Sequence, residues 1–171
     1  EIIGAAGVNP ADLMFSKELR QIDPYLKSPY QSNTSKLYDG GSGLVSNIDD
    51  YAQFALMLMN KGELNGVRIL SESSVELMSK NHLSDSVLSD GAAFGLDGIG
   101  FGLTMAVVKD AGRAGTYSTN GEFSWGGAAS TTFWVDPVNQ LTAVMMTQYM
   151  PSDKYPLRED LKTLIYSGLS N

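Results

Sequence analysis

The sequence predicts an α+β fold in which an antiparallel β-sheet is flanked by helices, and three observations predict it. Strand-forming runs at 100–109, 125–135 and 141–148 follow one another, the last two joined by the turn Asp136-Pro137-Val138-Asn139. Strands joined by short turns pair antiparallel. Apolar residues recur at helical spacing over 47–60 and again over 156–168, which provides helices to cover such a sheet. The 171 residues fit one domain, which would bury roughly 70% of its unfolded surface.

Residues 1–39 are weakly patterned: Pro10, Pro24 and Pro29 break any long helix, and a loop-rich segment with one short helix over 10–20 is expected. Gly40-Gly41-Ser42-Gly43 then leads into a helix over 47–60, with Ile48, Tyr51, Ala52, Ala55 and Met59 on its inner face. Ser46 is placed to cap it, and Asp49 and Asp50 suit the positive end of its dipole. Gly62 can close the helix in the left-handed conformation, and Asn65-Gly66 gives a tight turn between Glu63-Leu64 and Val67-Arg68. Ser71 caps a second helix through Lys80 that turns Val75 and Met78 inward, and 81–97 reads as a long loop. The chain closes with the 156–168 helix, whose Leu157, Leu161, Leu164 and Ile165 are expected to lie on the sheet.

Composition excludes several classes of function. A formal net charge of −7 argues against a nucleic-acid partner, which needs clustered Lys and Arg. No apolar run reaches the ~20 residues of a membrane-spanning helix. The absence of cysteine removes disulfides, thiol chemistry and Cys-ligated zinc, and the single histidine, His82, rules out a His-rich metal site. No metal and no cofactor is called for.

The usual nucleophile motifs are also missing. There is no G-x-S-x-G, and no lysine has Ser three residues before it, so S-x-x-K does not occur. His82, just past a helix and away from any nucleophile motif, reads as a hydrogen-bonded helix-end residue rather than a general base. Gly40-Gly41-Ser42-Gly43 lacks the lysine of a phosphate-binding loop and reads as a turn feeding a capped helix. Asp49 and Asp50 are adjacent on a helix and point apart, so they form no acid-base pair.

What remains is Ser124-Trp125-Gly126-Gly127-Ala128-Ala129-Ser130, which runs into Thr131-Thr132-Phe133-Trp134-Val135. Glycine weakens a strand because it costs backbone entropy and offers no side chain to pack, so two in succession need a reason. Two reasons fit: a backbone edge kept bare for a ligand, or a glycine-relieved strand in a core.

Four segments in order break the tie by resemblance. Gly41-Ser-Gly-Leu-Val-Ser-Asn-Ile-Asp-Asp-Tyr-Ala-Gln-Phe, Gly62-Glu-Leu-Asn-Gly-Val-Arg-Ile-Leu-Ser, Met78-Ser-Lys-Asn-His-Leu and Trp125-Gly-Gly-Ala-Ala-Ser-Thr-Thr-Phe-Trp-Val-Asp-Pro resemble the C-terminal half of serine hydrolases related to class C β-lactamases, in particular the family VIII carboxylesterases. The resemblance covers about residues 40–168. It implies the C-terminal portion of a β-lactamase/transpeptidase-like fold, with 1–39 as the loop-rich segment leading out of the helical domain and 40–171 as part of the α/β domain.

The mechanism it implies is acylation of a Ser in S-x-x-K, assisted by a Tyr in Y-x-N, followed by hydrolysis of the acyl-enzyme. Neither motif is present; Tyr30-Gln31-Ser32-Asn33 has one residue too many for the second. Nucleophile and base are therefore expected in an N-terminal portion of the same protein, preceding Glu1. Trp125-Gly126-Gly127 resembles the esterase form of the family's third motif, commonly Lys-Thr-Gly. By that match Ala128 offers its amide to the oxyanion, Gly126 and Gly127 leave room for the acyl group, and Trp125 walls the pocket. Trp in place of the lysine removes a cation that would meet a β-lactam carboxylate, which favours neutral small-molecule esters while leaving weak β-lactam turnover open. This chain alone is then expected to be inactive, and as part of a sheet to associate with the missing portion. The alternative is a non-catalytic binding or scaffolding module that has kept the sheet.

Overall fold

The structure, a computed structural model, describes residues 44–84, 86–87, 97–152 and 154–169. The expectations for 1–39, for the glycine run 40–43 and for most of the 81–97 loop lie outside the described residues. Ile48–Asn171 form one compact unit.

Helix α1 spans Ile48–Met59, with Asp49 and Asp50 in its first turn. Its opening puts Asn47 at the preceding position, and the hydroxyl of Ser46, the expected cap, donates instead to the carbonyl of Asn47 at 3.3 Å. Ala55, Met57 and Leu58 are buried, whereas Ile48, assigned to the inner face, is half exposed. The helix ends where Lys61 (φ 53°) and Gly62 (φ 94°) both turn left-handed and the Gly62 amide reaches back to the Met57 carbonyl at 2.8 Å. Gly62 is also required by space, since a Cβ there would run into the Leu70 carbonyl.

Strands β1 (Glu63–Leu64) and β2 (Val67–Arg68) pair antiparallel across Asn65 and Gly66, both at positive φ, as a tight hairpin turn demands. Helix α2 spans Glu72–Met78, and the Ser71 side chain caps it by accepting from the Ser74 amide at 3.1 Å.

The main sheet is an antiparallel meander in the order β3 (Ile99–Phe101), β4 (Ala106–Val108), β5 (Phe123–Gly126), β6 (Thr132–Asp136), β7 (Leu141–Met145). Two of the expected strands are each a hairpin. The run 100–109 breaks after Phe101, where Gly102 lies against the Met78 carbonyl too closely for any Cβ and Thr104 takes φ 77°. The run 125–135 breaks at 127–131, so Gly126 ends β5 and Gly127 opens a turn; the glycine pair does not sit inside a strand. A short helix α3 (Ala111–Ala114), capped by Asp110, fills the β4–β5 connection.

Strand β6 is buried on both faces. Phe133 and Val135 join Phe123, Val107 and Met105 in the core under α1, and Phe133 meets the ring of Tyr51 edge-to-face at 5.3 Å. Full burial of a side chain such as Phe133 or Leu58 is worth about 1.5–3 kcal/mol, which is why the α1 face dominates the fold.

The opposite face is covered by α4 (Leu157–Ser167), and the expected apolar stripe holds only in part, with Leu157, Leu161 and Ile165 half-buried. Leu164 is 70% exposed, and the buried residue of the helix is Lys162. Lys162 pairs with Glu122 and lies 5.5 Å over the Trp134 ring, while the Tyr166 hydroxyl sits 2.8 Å from Glu122 and 2.6 Å from Asp136. The helix presents a polar stripe because the sheet beneath it presents two buried carboxylates.

Candidate active site

The β5–β6 hairpin carries the glycine pair, and its geometry follows from a few backbone bonds. The Gly127 amide donates to the Thr131 carbonyl at 3.0 Å and the Ser130 amide to the Gly127 carbonyl at 3.1 Å. Ser130 closes the turn at φ 62°, a position where short hairpin loops normally use glycine. The turn is then tied to the segment after β7: the Tyr149 amide donates to the Ala129 carbonyl at 3.1 Å, the Ser130 hydroxyl to the Tyr149 carbonyl at 2.7 Å, and the Thr147 hydroxyl to the Ala129 carbonyl. Among the described residues the amide of Ala128 makes no hydrogen bond, and Ala128 is exposed.

Among the described strands, the edge of β5 toward β4 is only partly paired. Strand β4 pairs with β5 only at Phe123 and Ser124, so Trp125 and Gly126 run past it. A cavity of about 630 Å³ lies here, lined by all four of Trp125, Gly126, Gly127 and Ala128, with Arg158 and Tyr155 among the groups opposite. Trp125 is 39% exposed and leans edge-to-face on Phe101 at 5.3 Å.

The glycines are explained by space and not by dihedral angle, because neither has positive φ. A Cβ on Gly126 would meet the Arg158 guanidinium, and one on Gly127 would come within 2.5 Å of Thr131 Oγ1. Chemically, an exposed amide with no internal partner beside a bare backbone edge can donate to water or to a carbonyl oxygen that displaces it.

The structure thus brings Trp125, Gly126, Gly127 and Ala128 to one cavity. His82 lies elsewhere, its Nε2 2.8 Å from the Leu77 carbonyl at the end of α2, in keeping with a helix-end role. Among the described residues no lysine or histidine lines the cavity. Sequence reasoning missed Arg158, which brings a cation to the cavity that Trp125 also lines. The spacing of Arg158, Lys162 and Tyr166, four residues apart along one helix face, was the signal that could have found it.

An antiparallel sheet backed by a helix on each face, with a glycine-bared strand end over a cavity, is an α+β architecture. Residues 5–166 match the Beta-lactamase family, and the chain belongs to that family. Two curated relatives from Mycobacterium tuberculosis, Protein Rv1367c of strain ATCC 25618 / H37Rv and Uncharacterized protein MT1414 of strain CDC 1551 / Oshkosh, are each 38% identical over 119 residues, 66% of this chain. The chain spans 29% of the length of each.

Among solved structures, EstCE1, a hydrolase with promiscuous acyltransferase activity, matches with a TM-score of 0.62 and 27% identity, over 74% of this chain and 31% of that one. Unliganded Simvastatin Synthase (LovD) from Aspergillus terreus matches with a TM-score of 0.60 and 20% identity over 75% of this chain and 36% of its own, a likeness of fold. Family and neighbours together make this a chain of a β-lactamase-related serine hydrolase type.

Proposed function

We propose that this chain supplies the oxyanion strand and pocket wall of a serine hydrolase that cleaves carboxylic esters through an acyl-enzyme, while Ser, Lys and Tyr come from a preceding portion of the same protein. The observation that carries this reading is the unpartnered amide of Ala128 at the end of a glycine-bared strand, inside the 630 Å³ cavity. EstCE1, the relative in structure with the higher identity, is described as a hydrolase with acyltransferase activity, which supports acyl transfer as the reaction type.

In this reading the Ser oxygen attacks the ester carbon as the base takes its proton. The carbonyl π electrons move onto oxygen, and that oxyanion receives hydrogen bonds from the Ala128 amide and the amide of the Ser. Collapse expels the alcohol, which takes up the proton; water then repeats the sequence on the acyl-enzyme and releases the acid. The donor matters because it is strongest where charge develops: loss of one costs ~10² to 10³ in rate. Gly126 and Gly127 let the acyl chain lie against the backbone, and Trp125 closes one side.

The test is hydrolysis of p-nitrophenyl esters. The 171-residue chain alone gives no turnover, and the chain joined to a portion bearing S-x-x-K and Y-x-N does. Full activity from the chain alone overturns the division of labour, and inactivity of the joined protein supports a non-catalytic module instead.

A further inference from the structure

We propose that Ser130 and Thr147 are positioning residues that fix the Ala128 amide for the oxyanion. The inference rests on the reading of Ala128 given above and names what holds it. Gly127 and Ser130 close it internally, and the Ala129 carbonyl takes both the Tyr149 amide and the Thr147 hydroxyl. Ser130, 6% exposed, sends its hydroxyl 2.7 Å to the Tyr149 carbonyl. The turn is therefore clamped at two successive residues, 129 and 130, to one segment beyond β7, and the Ala128 amide, which has no internal partner among the described residues, lies immediately before the clamp.

Ser130 is the telling residue. Its φ of 62° is a left-handed conformation that glycine adopts without penalty and that a side chain resists. A hairpin loop selected only for stability would place glycine here. The hydroxyl to Tyr149 is what a serine adds, so the position trades backbone comfort for a second tether. A donor that is already in place when the oxyanion forms costs no reorganisation, and a displacement of about 1 Å is enough to lose ~10²-fold in rate.

The experiment uses the enzyme that contains this chain together with its nucleophile, with p-nitrophenyl butyrate as substrate. Thr147→Val, which keeps the shape and deletes the hydroxyl, lowers kcat roughly tenfold to a hundredfold with KM within about twofold. Thr147→Ser restores most of it. Ser130→Gly relieves the left-handed strain, so the thermal midpoint holds or rises while kcat falls, a divergence that a merely structural serine does not produce. Wild-type kcat in both Thr147→Val and Ser130→Gly overturns the inference.

A separate variant tests the reading beneath it. Ala128 follows Gly127 in the turn closed by the Ser130–Gly127 bond, a place where proline is favoured and no internal bond uses the N–H. Ala128→Pro thus deletes the donor and keeps the turn, and kcat falls ~10² to 10³-fold. Full activity in Ala128→Pro sinks the oxyanion assignment itself; loss there with no effect at 130 and 147 sinks only the positioning role.

Discussion

The two ends of the β5–β6 hairpin are built on opposite principles. Where β5 begins and β6 finishes, Glu122 and Asp136 are 1% and 0% exposed, and their polar atoms are bound. Asp136 accepts from the Thr119 hydroxyl at 2.6 Å, the Val138 and Asn139 amides, the Asn139 side chain and Tyr166. At the other end, 127–130, the side chains shrink to Gly, Ala and Ser, and among the described residues the Ala128 and Ala129 amides make no hydrogen bond. The same pair of strands is saturated where it anchors a helix and left bare where it meets a cavity.

The saturated end also holds a proton in an unusual way. Tyr166 has one hydroxyl proton and lies within bonding distance of two carboxylates. Burial pushes the Glu122 carboxyl above its usual range, and Lys162 and Tyr166 offset this only in part. Burial acts on Asp136 in the same direction, but the hydrogen bonds from Thr119, Tyr166 and Asn139 outweigh it and hold that carboxyl low. Burial and the two carboxylates push the Tyr166 hydroxyl well up, so it stays protonated. Asp136 is thus held as an anion more firmly than Glu122, whose carboxyl burial pushes up.

Breaking the anchor gives the largest effect on stability. Lys162→Met removes the partner of a buried carboxylate and leaves the shape, and denaturant unfolding is expected to show a loss of about 3–5 kcal/mol. Part of this returns in the double variant with Glu122→Gln, which no longer buries a charge; a single variant as stable as wild type would show that the pair does not hold α4.

The pH dependence is smaller and has a definite sign. Because the folded pKa of Glu122 is raised, its contribution is fully present below the unfolded value of about 4.3 and is lost as pH rises through the folded value. Each unit of such a shift is worth about 1.4 kcal/mol. Asp136, held low, behaves oppositely: its contribution is present above about 3.9 and is lost as pH falls. Glu122→Gln should therefore flatten the decline in stability above pH 4.5 and leave the acid limb in place. Tyr166→Phe strips one donor from the cluster and is expected to cost about 1–3 kcal/mol by the same unfolding measurement.

How much of this was legible in the sequence differs between the two ends. The Trp125–Ala128 stretch could be found because glycines and a motif-like order stand out locally, and the hairpin at Asn65-Gly66 and the turn at Asp136 carry their own turn chemistry. The split at 127–131 was hidden because Ala128-Ala129-Ser130 has no Asn-Gly or Pro, and a left-handed serine leaves no mark in composition. The anchor was hidden for a different reason: Lys162 meets a residue 40 positions away and Tyr166 one 30 positions away, so hydrophobic periodicity assigned Leu164 to a face that the buried carboxylates had claimed. Local backbone demands can be read from one segment; a polar core needs both partners at once.

The sharpest test of the comparison is the one with the least effect on folding. Neither Gly126 nor Gly127 needs glycine for its dihedral angles; a Cβ on Gly127 would meet the hydroxyl of Thr131, and one on Gly126 the tip of Arg158, which can move aside, and the Thr131 carbonyl at 3.0 Å, a tight contact. Gly→Ala at such a position also narrows the unfolded ensemble, a gain of about 0.4–1 kcal/mol that offsets the crowding. Gly126→Ala is therefore expected to shift stability by no more than about 0.5 kcal/mol in denaturant unfolding. Its effect on ester turnover runs the other way, because the methyl group stands on the edge that the acyl chain would occupy and displaces Arg158 into the cavity; a loss of roughly tenfold in kcat/KM is expected. A variant that loses stability and keeps turnover would mean that the glycines serve the strand, and that the bare end of the hairpin is no more a site than the saturated one.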